Sequence, residues 1–121
     1  MSELATAEPV RLDTPDLFYR AQIKDQDGDP VDLTSATLKQ LVFRHPDFPT
    51  VPDEVEAAVI STKAGQTDPV NGWVEFKDGD PATKTVAVGQ WRYWARATIG
   101  TDGPFPSGIL IYCVAAEGDD T

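Results

Sequence analysis

The chain has 121 residues, 40% of them hydrophobic, with 20 Asp and Glu against 10 Lys and Arg and a formal net charge of -10. That length fits one domain around one core, and the hydrophobic content is too high for a disordered chain. The acidic balance argues against phosphate-backbone binding and against an anionic membrane surface, so neither nucleic acid nor membrane is an expected partner. No apolar run approaches the roughly 20 residues that span a bilayer. The segment Met1 to Glu8 lacks a basic stretch followed by an apolar one, so no signal peptide is expected and synthesis belongs in a cytoplasm.

In chain order, residues 1–8 are small and polar without periodicity and read as a flexible arm. The body is expected over 9–116 and an acidic tail over 117–121. Pro9-Val-Arg-Leu12 reads as a short edge strand. Across Leu17 to Lys24, Leu17, Tyr19, Ala21 and Ile23 share one parity, and Phe18, Arg20, Gln22 and Lys24 the other. This period of two predicts a strand with one apolar face. Asp27-Gly28 predicts a tight turn, because Gly takes positive φ cheaply. Val31 to Thr34 then reads as the second strand of that hairpin, with Val31 and Leu33 inward. Thr37 to Arg44 is the next strand, and its Leu41-Val-Phe43 run suggests a central position or a bulge.

His45 to Glu56 contains Pro46, Pro49 and Pro52 and reads as a long connection. Glu54 to Ser61 admits a helix, but Val59-Ile-Ser-Thr62 favours strand. Lys63 to Asn71 is a loop, Gly72 to Lys77 a short strand and Asp78-Gly-Asp-Pro81 a turn. Thr85 to Val88 reads as the end of a strand and Gly89 as a corner. From Gln90 to Ile99, Trp91, Tyr93, Ala95, Ala97 and Ile99 alternate against Arg92, Trp94, Arg96 and Thr98. That alternation predicts Trp91 and Tyr93 inside and Trp94 outside. Thr101-Asp-Gly-Pro104 closes a hairpin, and Phe105 to Val114 returns as one last strand. About seven strands with turns every eight to twelve residues predict an all-β, antiparallel sandwich, immunoglobulin-like in kind; a small closed barrel is the alternative.

Chemistry has few footholds. Asp25, Asp27 and Asp29, with Asp32 near, put carboxylates in a turn, and oxygen-rich turns of this kind bind calcium. However, the Gly falls at the fourth position of the turn instead of the sixth, and Ala36 stands where a bidentate acid belongs. A solvated turn is the expectation, with no metal and no cofactor, and calcium as the one alternative. His45 is the only histidine and no serine sits in a nucleophile elbow, so no enzyme activity is expected. Cys113 is the only cysteine, which leaves no internal pair, and its apolar strand Gly108 to Ala115 predicts a buried, inert thiol. Contact with other proteins is assigned to the 45–56 loop and the N-terminal segment through Leu12, Phe48, Val51 and Trp94. Trp73 and Trp94 also admit carbohydrate binding, to host surface glycans.

The run Asp25-Gln-Asp-Gly-Asp-Pro-Val-Asp-Leu-Thr-Ser-Ala-Thr37 is followed by Gly72-Trp-Val-Glu-Phe76, Val88-Gly-Gln-Trp-Arg-Tyr-Trp-Ala95 and Asp102-Gly-Pro-Phe-Pro-Ser107. Over about residues 9 to 115 this resembles the immunoglobulin-like domains of tailed-bacteriophage virion proteins, above all the N-terminal domain of the phage upper baseplate protein family. The resemblance implies a β-sandwich that builds or attaches to the tail apparatus, located in the virion. It implies other virion proteins and copies of itself as partners, and no catalytic residues.

Overall fold

The computed structural model describes residues 9–61, 63 and 67–116. The expected arm 1–8 and tail 117–121 lie outside the described residues. The strands are β1 (Val10–Arg11), β2 (Phe18–Gln22), β3 (Ala36–Arg44), β4 (Glu54–Ala57), β5 (Val59–Ile60), β6 (Trp73–Lys77), β7 (Gly89–Ile99), β8 (Asp102–Pro106) and β9 (Leu110–Ala115). No α-helix occurs among the described residues; a single 3-10 turn, Pro69–Asn71, lies in the expected loop.

One sheet runs β1-β9-β7-β3-β4 with β8 also on β7, and the other runs β2-β6-β5. Two packed sheets in this order, with β7 central and the short β4 added at one edge, give the immunoglobulin-like sandwich. One pairing departs from the antiparallel expectation: β1 runs parallel to β9, with Val10 opposite Val114.

The pleat decides what enters the core. From β2 come Tyr19 and Ala21, from β3 Leu41 and Phe43, from β6 Val74, from β7 Trp91, Tyr93, Ala95 and Ala97, and from β9 Tyr112 and Val114. Tyr19 meets Phe43 edge-on with ring centroids 5.0 Å apart, and Phe43 stacks on Tyr93 at 5.5 Å. Such pairs add specific geometry to the burial of large apolar area. Ring polar groups in the core find backbone partners. Trp91 Nε1 donates to Ala87 O at 3.0 Å and Tyr93 OH to Arg20 O at 3.0 Å.

Three expected elements differ. Val31 to Thr34 forms no strand; a bridge between Lys24 and Pro30 closes the turn, with Asp25 N–H donating to Asp29 O and Val31 N–H to Ile23 O, while Val31 and Leu33 are still buried. Residues 85–88 bend instead of pairing, because Asp78 organises the segment around itself. Its carboxylate accepts from the backbone N–H groups of Gly79, Thr83 and Lys84 and from the Thr83 hydroxyl. The predicted last strand splits, because Ser107 breaks the ladder. Its N–H donates to Ala95 O at 2.8 Å and its Oγ accepts from Ala95 N at 2.8 Å, so β8 and β9 pair β7 in registers one residue apart.

The bend after Asp78 carries Lys84 into the edge of the sandwich. Lys84 is 1% exposed, and its Nζ donates to Glu54 and Glu56 of β4. The ammonium also lies 5.0 Å from the Phe43 ring centroid. Tyr112 OH donates to Lys84 O at 2.6 Å and holds the same segment from β9.

Candidate interaction surface

The alternation that drives Trp91, Tyr93 and Ala95 inward presents Arg92, Trp94 and Arg96 on the outer face of β7. On β3 the same rule presents Gln40, Val42 and Arg44. The ladder sets Gln40 opposite Arg96, Val42 opposite Trp94, and Arg44 opposite Arg92. From β4, Val55 lies on the far side of Val42. Val42 is therefore 3% exposed although it points away from the core, while Val55 remains 46% exposed.

Arg44 is the fixed point of this face. Its Nε and Nη2 donate to Asp53 Oδ1 and Oδ2 at 2.9 and 2.8 Å, a forked pair. The guanidinium carbon lies 3.8 Å from the Phe48 ring centroid and 5.3 Å from that of Trp94. Its hydrogen bonds hold the Asp53 carboxyl below the usual carboxylate range. Arg96 Nε donates to Gln40 Oε1 at 2.9 Å. Arg92 is exposed and has no hydrogen bond or ion pair among the described residues. Arg92 and Arg44 thus face each other as like charges across a ladder, a pairing that costs stability, and only Arg44 has an acid to offset it. None of the chain's 20 carboxylates lies in β3, β7 or β9.

Of the residues assigned to protein contact, Phe48 and Trp94 come together through Arg44. Val51 is half-buried in the same loop, where its N–H donates to Asp47 O at 3.2 Å. Leu12 lies elsewhere: it is half-buried, packs against the core and donates its N–H to Ala115 O at 2.9 Å. Arg44, Asp53, Val55, Arg92 and Arg96 were not singled out from the sequence. The parity of β7 and the lack of acids in the central strands are the signals that point to them.

The acidic turn uses its carboxylates locally. Asp25 Oδ1 accepts from the N–H groups of Asp27 and Asp29 at 2.9 and 3.0 Å. Asp32 Oδ1 accepts from the Thr34 N–H and hydroxyl at 2.9 and 2.6 Å. Among the described residues no group of three or more His, Cys, Asp or Glu is placed to hold a metal ion. Beside the turn is an open depression of about 570 Å³, lined by Lys24, Asp25, Gln26, Asp27, Phe105 and Pro106. His45 packs 4.9 Å from the Trp91 ring, and its Nδ1 accepts from the Asp47 N–H at 2.9 Å. Cys113 corrects an expectation: Tyr112 and Val114 take the core-facing positions of β9, so the thiol between them is exposed. Trp73 is half-buried on the outer face of the other sheet, so it shares no platform with Trp94.

No protein-family model matches the chain, and no curated protein matches it. Among solved structures it is similar to one described as "N-terminal domain of phage TP901-1 ORF48". The sequence identity is 17% and the TM-score 0.52, and the match covers 88% of this chain and 84% of that one. At that identity the likeness is one of fold.

Proposed function

We propose that this chain is a structural component of a tailed-phage virion, in the tail, the baseplate or another particle-surface position, and that it works by protein–protein contacts in assembly. One observation carries the reading: the sandwich matches a phage protein domain over 88% of this chain, with nearly the whole of both bodies aligned. The resemblance of the turn and strand motifs to phage virion domains supports it from the sequence side. The outer face of β3, β4 and β7 supports it physically. An aromatic and arginine patch on a rigid sheet is the composition that protein interfaces favour at their centres.

On this reading the partners are other virion proteins and copies of the same chain, and the place of action is the particle. Sedimentation of purified particles through a density gradient, followed by mass spectrometry of the bands, tests it. The chain is expected to co-migrate with particles at a fixed ratio to the other structural proteins. Recovery only in the soluble fractions contradicts the reading.

A further inference from the structure

We infer that the Arg92–Trp94–Arg96 face of one copy receives the acidic turn Asp25–Asp29 of a second copy of this chain. The inference rests on the structural role proposed above and names the surface through which copies meet. The face concentrates positive charge on an acidic chain. In a chain of net charge -10 it gathers Arg44, Arg92 and Arg96 on one face with the Trp94 indole, and among the described residues Asp53 is the only carboxylate bonded to any of them. Arg92 stands opposite Arg44 in the ladder, and while Arg44 is paired with Asp53, the Arg92 guanidinium has no acid of its own among the described residues. A carboxylate from outside gives that guanidinium a partner, so the face is complementary to an acidic surface.

The chain itself presents such a surface. Asp27 and Asp29 are exposed at the tip of a tight turn and make no ion pair among the described residues. The turn is held rigid by Asp25, which lowers the ordering cost of using it as a contact. The depression beside it has an apolar wall of Phe105 and Pro106 next to Asp25 and Asp27, with Lys24 as the single cation on its lining. An apolar wall with carboxylates next to it is the counterpart of an indole flanked by guanidiniums. Because the two patches are different surfaces, the contact is heterologous and each copy has one of each to offer.

Sedimentation velocity on the full chain at low salt reads this directly. The weight-average mass is expected to rise above the 13.2 kDa of the single chain as concentration increases. It should fall back in about 0.5 M salt, where exposed charges are screened within roughly 4 Å. Arg92→Glu and Asp27→Lys, both at exposed positions, should each weaken association at least tenfold with unchanged circular dichroism. Mixing the two variants should restore a pair, because one keeps an intact turn and the other an intact face. A chain that stays monomeric at every concentration in low salt overturns the inference, as does association that salt and both substitutions leave unchanged. Incorporation into particles is a separate readout. Presence in particles without self-association removes this inference alone; self-association without particles removes the proposed role alone.

Discussion

Two kinds of residue set the stability of this sandwich from inside. Asp78 is the first. Burial alone raises its carboxyl pKa, but hydrogen bonds from Thr83, Lys84 and Gly79 outweigh that and hold it below the usual carboxylate range. A depressed folded pKa means stability that is present above about pH 3.9 and is lost as pH falls through the lower folded value. Asp78→Asn should therefore cost about 2 kcal/mol at neutral pH. It should also flatten the acid limb of the stability curve, as read by urea midpoints from pH 7 down to pH 3. An unchanged acid limb would mean that the Asp78 network does not carry it. The tyrosines are the second kind, and all three are buried. Burial pushes Tyr93 up to about 12 and raises Tyr19 and Tyr112 as well. The stability they give is intact below about pH 10 and is lost as pH rises through the folded values. Ultraviolet titration of the folded protein should stay flat through pH 10, with phenolate absorbance appearing only as the protein unfolds. Tyr19 OH makes no hydrogen bond of full geometry among the described residues, though the Tyr112 hydroxyl lies beside it, whereas Tyr112 OH donates to Lys84 O. Accordingly, Tyr19→Phe should be neutral or stabilising, while Tyr112→Phe should cost about 1 kcal/mol.

Among the elements, β4 depends most on a contact distant in sequence. It is a four-residue edge strand, and its two inward glutamates close on the Lys84 ammonium. Lys84→Ala leaves that end of the sandwich without its cation and opens a cavity beside Phe43. A loss of about 2 to 3 kcal/mol is expected in thermal or chemical unfolding, with β4 amides exchanging first. Lys84→Met keeps the stem against Phe43 and Phe76 and should recover part of the loss. Equal losses in both variants would place the contribution in the charge alone. None of this is visible in the sequence, where Lys84 lies 30 and 28 residues from its partners, between an expected turn and the run Thr85 to Val88 that reads as the end of a strand. By contrast, β2 and β7 are legible residue by residue, because alternation is a local signal and the buried set follows it: Tyr19, Ala21 and Ile23, then Trp91, Tyr93, Ala95 and Ala97. The exposure of Cys113 is hidden in the sequence because Ile111, on the same outward parity, is also apolar and masks the alternation that Tyr112 and Val114 define. The break at Ser107 was missed because it depends on that hydroxyl and N–H both reaching Ala95 of β7.

At the scale of the whole molecule, two sheets close one aromatic core and leave two chemically different surfaces. Most of the surface is acidic, which keeps copies soluble and sets long-range repulsion between them. The outer face of β3, β4 and β7 departs from that, with its arginines and tryptophan and no carboxylate from the central strands. Half of that site was legible: Trp94 and Phe48 were expected outside, but Arg44 joins them only once the 45–53 loop folds back over β3. The exposed aromatic and arginine face is what the structural role proposed above would use for contact. The measurement that tests this most directly is cryo-electron microscopy of purified particles, with mass spectrometry of the same preparation for copy number. The account predicts density for this sandwich at a fixed copy number, with the Arg92–Trp94 face buried against a neighbouring chain. Particles that lack the chain, or that hold it with that face open to solvent, would contradict the account.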